Sequence, residues 1–474
     1  MPNTRRRFFP FFITLAISAA ALNAQTLRFQ TTLGGIDVIL TPSVTPMTVA
    51  NFMTYVNSGA YSGGYLDVNG EQVPYVNTII HRSLTIAAAV PPYVIQGGGY
   101  ALGPANVPSL IPQNPPVNNE FSISNTRGTL AMALYGSNTN SATDQWYFNT
   151  SDNSSYLDSQ DFTVFGNVAN DASLAVMDAI NALPTYTYNA GADADFMNLP
   201  LQNYSCPNTS ACPLIKPANY IFVNSIAPIS PASSAAGVQS AATFASIGST
   251  GISPGEIITL YGTELGPTQV TTLTLDPTGS FVTTSLEGTQ VLFNGVPGPM
   301  IFTYTGQIAV IVPYEIAAQS TVNVVVSYLG VQTSPIQFKV VPANPGLFTL
   351  SQTGKGDAAI VRLSDSSVIS TTNPASQGDT LELYGEGYGV ATPGTSLPDG
   401  TVVVSTLPVP AATTVLLIDG QPVPTSYAGG AGDEVNGVMQ INFTVPPQLT
   451  PGPHTIQVKV GSATSPAGVN LQTQ

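Results

Sequence analysis

The run Asn125-Thr126-Arg127-Gly128-Thr129-Leu130-Ala131-Met132-Ala133 decides the fold of this chain, together with two segments that follow it. These are Asn140-Ser141-Ala142-Thr143-Asp144-Gln145-Trp146-Tyr147-Phe148-Asn149 and Phe162-Thr163-Val164-Phe165-Gly166. All three lie between two segments of helical spacing. After Pro46, the residues Val49, Phe52, Met53 and Val56 predict a helix from Thr48 to Ser58, ended by Gly59. A second amphipathic helix is predicted from Asp171 to Leu183, with Asp171 or Ser173 as cap and Pro184 as stop. Between them the chain reads as strand and loop. Upstream, Leu27, Phe29 and Thr31 share a face, and Ile36, Val38 and Leu40 resume after Gly34-Gly35, which predicts a β-hairpin. Asn219 to Ile226 reads as a closing strand.

The 474 residues suggest two to four domains. Hydrophobic residues make up 43%, enough for sizeable cores, while only 8% are charged, against roughly 25% in ordinary soluble domains. The 43 Gly and 40 Pro punctuate segments rich in Val, Ile, Thr and Tyr, the pattern of many short strands joined by tight turns. A net charge of −15 works against nucleic acid and anionic membrane as partners. Residues 1–24 read as a signal peptide: Arg5, Arg6 and Arg7 precede a short apolar core from Phe8 to Ala21. The arginine run also fits a twin-arginine signal, so both export routes stay open. No later stretch has the ~18 apolar residues of a membrane span. The expected address is therefore exported: periplasmic, cell-surface or secreted. Cys206 and Cys212 flank five residues, and in an oxidising compartment their default is a disulfide. Two Cys without a nearby His do not make a zinc site, so no metal is expected.

Residues 25–228 form the first predicted domain, 229–237 a Pro/Ser/Ala linker, and 238–343 and 344–474 two further β modules. The modules repeat each other weakly. Pro254-Gly255-Glu256-Ile257-Ile258-Thr259-Leu260-Tyr261-Gly262 returns as Gln377-Gly378-Asp379-Thr380-Leu381-Glu382-Leu383-Tyr384-Gly385, and the turn Asn294-Gly295 returns as Asp419-Gly420. The spacing suits two tandem immunoglobulin-like β-sandwiches. The pair resembles the two-lobed C-terminal region of exported acidobacterial proteins. It would serve either to adhere to a cell-envelope or carbohydrate partner, or as a spacer.

The chain has two histidines, His81 and His454, and neither sits near a Gly-x-Ser-x-Gly elbow. No His-Glu-x-x-His, phosphate loop or calcium loop occurs, and no cofactor is expected. What remains is chemistry without a nucleophile. In chain order stand His81-Arg82, Val94-Ile95-Gln96-Gly97-Gly98-Gly99, Asn119-Glu120-Phe121, the three opening segments, and Tyr156-Leu157-Asp158. From about Leu27 to Ile226 this order resembles a bacterial cyclophilin-type peptidyl-prolyl cis-trans isomerase. The resemblance implies a mostly β fold, an eight-stranded β-barrel with two helices, and proline-containing polypeptides as substrates. Arg82 matches the family's catalytic arginine and Gln96 the residue that orients it. Tyr93, Val94, Tyr147 and Leu157 match the proline pocket and Phe162 its rim, Tyr156 stands for a substrate-binding tryptophan linked to cyclosporin binding in eukaryotic members, and Gln145 and the backbone of Ala133 would hold the substrate chain. The chain departs from the family in a longer segment between Arg82 and Tyr93, containing Ala87-Ala88-Ala89, and in an insertion at Ser62 to Asn77. Leu134 stands for an asparagine, and Tyr147 for a phenylalanine, adding a hydroxyl that needs a partner. An active isomerase and a scaffold that grips proline segments without turnover are both compatible with these residues.

Overall fold

The computed structural model describes residues 25–62, 65–66, 72–73, 76–85, 91–102, 108–188, 196–206 and 212–474. The segment 1–24 that reads as a signal peptide, Ala87-Ala88-Ala89 and most of the Ser62 to Asn77 insertion lie outside these residues. The fold is mostly β. Among the described residues the first unit carries two two-stranded pairs and is built on an eleven-stranded sheet. Its strands are β1 (Thr26–Thr31), β2 (Gly34–Leu40), β3 (Val76–Ile79), β4 (Arg82–Leu84), β5 (Val94–Gly97), β6 (Tyr100–Leu102), β7 (Pro108–Leu110), β8 (Thr129–Met132), β9 (Trp146–Asn149), β10 (Val164–Val168) and β11 (Phe222–Pro228). The spatial order is β4-β5-β9-β8-β10-β2-β1-β11-β3-β6-β7. Eight of these strands have four or more residues; the excess over the expected eight comes from the three-residue pieces β4, β6 and β7. Only Ile80 and His81 separate β3 from β4, yet the two pair with distant parts of the sheet, so the wall curls back on itself.

Among the described residues three α-helices accompany the wall: α1 (Pro46–Asn57), the single turn α2 (Ser154–Leu157) and α3 (Asp171–Asn181). The two long ones occupy the predicted segments. Phe52 of α1 stacks on Phe29 at 5.8 Å and meets Phe165 at 5.0 Å, and Val176, Met177 and Ile180 of α3 join the same core. Apolar residues at these spacings share one helical face, which burial requires. The caps differ from expectation. Asn170, not Asp171 or Ser173, caps α3, its Oδ1 accepting from Ser173 N at 2.9 Å. The N-terminus of α1 has no side-chain cap of its own. Instead the Glu120 carboxylate accepts from Met47 N (3.1 Å), Thr48 N (2.8 Å) and Thr48 Oγ1 (2.8 Å). A carboxylate there satisfies orphan N–H groups and opposes the positive end of the helix dipole.

Two expectations about connections need correction. The β1–β2 turn is Thr32-Leu33, because Thr31 pairs with Gly34. Gly34-Gly35 opens the second strand instead. A Cβ on Gly35 would stand 2.6 Å from Thr268 Cγ2 of the next unit, and Gly35 N donates to Thr268 Oγ1 at 2.8 Å. The glycine permits a close approach between units rather than a turn. The expected linker 229–237 is mostly strand: Ala232–Ser240 pairs antiparallel with Ile257–Thr263 across a bulge between Ser233 and Val238. Its Ser and Ala residues still supply backbone donors and acceptors, and an unpaired strand edge beside them favours pairing.

Beyond it the chain is mostly strand and turn, with a single helical turn at Ile247–Thr250 and a 3-10 helix at Tyr314–Ala318. Residues 232–340 form two five-stranded sheets and 346–473 two six-stranded sheets. Ile257–Thr263 and Thr380–Glu386 occupy corresponding places, Tyr261 pairing with Gln307 and Tyr384 with Gln440. Asn294-Gly295 and Asp419-Gly420 both take positive φ, as a two-residue hairpin loop demands. His454 is buried: Nδ1 lies 2.6 Å from Asp419 Oδ2 and Nε2 lies 2.7 Å from the Thr450 carbonyl.

Candidate active site

Outward pleat positions of neighbouring strands fall into one row. Arg82 opposes Gln96, Gln96 opposes Tyr147, Tyr147 opposes Ala131, and Ala131 opposes Val164. Directly opposed residues in antiparallel strands share a face, so these five side chains lie together outside the wall. Their sequence neighbours Ile95, Phe148, Leu130, Met132 and Phe165 enter the main core. The register also answers the long segment after Arg82. Arg82–Leu84 pairs with Val94–Gln96, which sets Arg82 directly opposite Gln96.

On this outer face Val94, Ala131, Tyr147, Leu157 and Val164 form a second apolar cluster, with Ala133 and Phe162 against it. A cavity of about 110 Å³ opens there, lined by Arg82, Pro92, Val94, Gln96, Ala133, Leu134, Tyr147, Leu157 and Phe162. An apolar hole of ~150 Å³ accepts benzene, so this one suits a smaller, five-membered ring. Arg82 Nη1 donates to Gln96 Oε1 at 3.2 Å, and Gln96 Nε2 donates to Gln145 Oε1 at 2.8 Å. The guanidinium is thus held beside the apolar slot by a chain of two amides.

The Tyr147 hydroxyl donates to Asn125 Oδ1 at 2.9 Å, and its ring meets Phe162 edge-on at 5.9 Å. Burial pushes its phenol well above the ordinary range, which keeps it a donor. Asn125 continues the network: its Nδ2 donates to the Phe162 carbonyl (3.0 Å) and to Asp158 Oδ1 (3.1 Å). Partial burial disfavours the Asp158 charge, but bonds from Ser124 and Asn125 outweigh it and hold the group below its usual pKa.

Several site residues fall elsewhere. Tyr93 does not line the cavity; Pro92 does. Along an extended chain residues i, i+2 and i+4 share a face, so Pro92, Val94 and Gln96 look outward and Tyr93 cannot join them. Asn153 holds the Tyr93 backbone at both ends, accepting from its N–H and donating to its carbonyl, each at 2.8 Å. Tyr156 is 41% exposed and off the cavity, because the adjacent Leu157 takes the inward position on the short helix. Gln145 stands behind Gln96 rather than in the wall. The Ala133 N–H is engaged by the Gln145 carbonyl at 2.9 Å, which leaves its carbonyl for a ligand. Pro92 was missed in the sequence although period-two alternation from Val94 points to it. His81 is fully buried with its ring edge-on to Tyr100 at 4.9 Å. Cys206 and Cys212 are joined by a disulfide with Cα atoms 4.9 Å apart. No cluster of metal-ligating side chains occurs among the described residues.

Residues 26–199 match the family of cyclophilin type peptidyl-prolyl cis-trans isomerases. Among relatives, the peptidyl-prolyl cis-trans isomerase of Acinetobacter baylyi is 35% identical over 179 residues, 37% of this chain and 81% of the relative. Peptidyl-prolyl cis-trans isomerase A of Dickeya dadantii is 34% identical over 172 residues, 35% of this chain and 76% of the relative. Among solved structures, a cyclophilin type peptidyl-prolyl cis-trans isomerase of Cryptosporidium parvum covers 44% of this chain and 98% of its own, at 18% identity and a TM-score of 0.28. With 35% identity across 81% of a bacterial relative and a family match over residues 26–199, the chain belongs to the cyclophilin-type peptidyl-prolyl cis-trans isomerases.

Proposed function

We propose that Arg82 speeds X-Pro rotation by donating a hydrogen bond to the prolyl nitrogen of a twisted amide, while the proline ring sits in the outer-face slot. Family membership brings the activity, peptidyl-prolyl cis-trans isomerisation. The rotation barrier is ~18–20 kcal/mol and comes from amide resonance. In the twisted state the nitrogen regains its lone pair and becomes an acceptor. A donor fixed at that position binds the twisted state better than either planar one, which is the condition for acceleration. No covalent bond forms or breaks. Arg is suited to this because it remains charged and presents several N–H groups in a rigid plane.

The observation that carries the reading is the row Arg82–Gln96–Tyr147 around an apolar cavity of about 110 Å³. Val94, Leu157 and Phe162 would hold the ring, Gln96 and Gln145 would position Arg82, and the Ala133 carbonyl would receive a substrate N–H. In a proline-peptide isomerisation assay, Arg82→Ala should lower kcat/KM by about 10²–10³-fold, the usual effect of removing one transition-state donor. Equal rates for wild type and variant would defeat the assignment.

The substrates we assign are exported polypeptides. Supporting this are the Arg5-Arg6-Arg7 segment with its apolar core and the Cys206–Cys212 disulfide, a bond favoured outside the cytoplasm. We read the two C-terminal lobes as immunoglobulin-like sandwiches, supported by two mostly antiparallel sheets that share one core in each lobe and by matched hairpin turns. They would carry the contact with a cell-envelope or carbohydrate partner. Retention of the full chain by cell-envelope fractions supports that role; passage without retention supports a spacer.

A further inference from the structure

A second cavity, of about 250 Å³, adjoins the proline slot and shares its Leu134 and Phe162 walls. Its character is different. The remaining lining comes from two loops, Gly136, Ser137 and Thr139 on one side and Ser159, Gln160 and Asp161 on the other. No Lys or Arg lines it. Asn119 holds the loops together: its Nδ2 donates to the Thr139 carbonyl (3.2 Å) and the Asp161 carbonyl (2.5 Å), and its N–H donates to Asn140 Oδ1 (2.8 Å). The cleft is therefore shaped before any ligand arrives, which reduces the ordering needed on binding.

Its acceptors face outward without internal duties. Ser137 Oγ, Thr139 Oγ1 and the Asp161 carboxylate have no hydrogen-bond partner among the described residues. Other carboxylates nearby are engaged: Asp158 by Ser124 and Asn125, Glu120 by the N-terminus of α1. Asp161 has φ of 57°, a left-handed conformation that aims this residue off the end of the preceding helical turn. One carboxylate and two hydroxyls around a polar cleft form an acceptor set for a cationic or multi-donor side chain.

We infer that this cleft is a specificity subsite that takes a lysine or arginine side chain flanking the substrate proline, with Asp161 as its counter-charge. The inference rests on the assignment of the adjoining slot to proline. A partly exposed ion pair contributes modestly, so preference should be a matter of a few-fold rather than of orders of magnitude.

The test uses the full chain and proline peptides bearing Lys, Leu or Glu at the two positions on each side of the proline. Both kcat/KM and Kd are measured for wild type and for Asp161→Asn, a substitution that keeps the shape and that left-handed backbone tolerates. At one flanking position Lys should exceed Glu by about two- to fivefold, the advantage shrinking at high salt and vanishing in Asp161→Asn. Equal values for Lys and Glu at every position, or a preference that survives Asp161→Asn, would overturn the subsite. Background turnover of every peptide would instead count against the isomerase assignment, and the Kd ratios would still decide the subsite.

Discussion

Tyr147 shows how one added hydroxyl reshapes the neighbourhood of the slot. Its ring forms the outer apolar cluster, while its oxygen reaches through to Asn125. Asn125 Oδ1 also accepts from Asn149 Nδ2 at 3.2 Å, and Asn149 Nδ2 donates to Thr129 Oγ1 at 2.7 Å. Tyr147→Phe therefore leaves Asn125 partly satisfied. It should lower stability by about 0.5–1.5 kcal/mol, the usual net value of such a bond, with kcat/KM nearly unchanged. Denaturant titration and the peptide assay check both parts; a large loss of activity with intact folding would show that the hydroxyl serves the reaction. At this scale the motif residues were legible because their spacing fixes pleat parity. Arg82, Val94, Gln96, Tyr147, Leu157 and Phe162 all reach one cavity. Tyr93 and Tyr156 were misplaced because adjacency in a motif was allowed to stand for adjacency in space. An extended chain sends neighbours to opposite faces, and a helical turn sends them about 100° apart.

At the scale of elements, a motif can serve a helix it never touches in sequence. Asn119-Glu120-Phe121 reads as a family signature, yet the Glu120 carboxylate closes the N-terminus of α1 from 72 or 73 residues away. Glu120→Ala removes three accepted bonds and a charge matched to the helix dipole. It should destabilise the chain by about 1–2 kcal/mol, while Glu120→Gln, keeping one acceptor, should lose less. Equal stability in all three proteins, read from denaturant midpoints, would contradict this cap. Both long helices were legible from apolar spacing, since burial of one face imposes that period. The Gly34-Gly35 and 229–237 readings failed for a common reason. Small residues favour turns and linkers locally, but here Gly35 meets Thr268 of the next unit and Ala232–Ser240 pairs with Ile257–Thr263, tertiary facts no local pattern contains.

For the whole molecule, the seams between units carry more charge than the composition suggests. Arg28 binds Asp37 through two bonds (2.7 and 3.0 Å) and reaches Thr305 Oγ1 and the Gly266 carbonyl of the first lobe; Tyr328 of that lobe donates to Asp37. These contacts use β1 and β2, away from the row that carries Arg82. Between the lobes, Glu386 accepts from Ser240 Oγ, Ala242 N and Ile257 N. Asp399 accepts from Tyr314 N at 2.9 Å and interacts with Glu315, whose carboxylate favours the protonated form of Asp399. Burial, then Glu315, raises Asp399 to about 7; burial raises Glu386 to about 7 and, with Glu386 beside it, also raises Glu256. A carboxyl with a raised folded pKa keeps a proton that the unfolded chain has lost. Its contribution is present at low pH and disappears as pH rises from about 4 through about 7. Thermal unfolding of the lobes should therefore occur at higher temperature at pH 5 than at pH 8. Asp399→Asn, which keeps the acceptor for Tyr314 and offers Glu315 a donor, should narrow that difference and raise the pH 8 midpoint by about 2–4 °C. An unchanged pH profile would contradict the raised Asp399. None of these seams was legible beforehand, because Glu256, Glu315, Glu386 and Asp399 are distant in sequence and meet only through lobe packing.

The central claim is that Arg82 binds the twisted amide better than the planar one. Exchange spectroscopy on a proline peptide at equilibrium separates that from simple affinity, because it reads catalysed cis–trans interconversion and binding in one sample. The account predicts that Arg82→Gln keeps a Kd close to wild type but lets exchange fall toward the uncatalysed rate. Exchange at the wild-type rate in Arg82→Gln would contradict it.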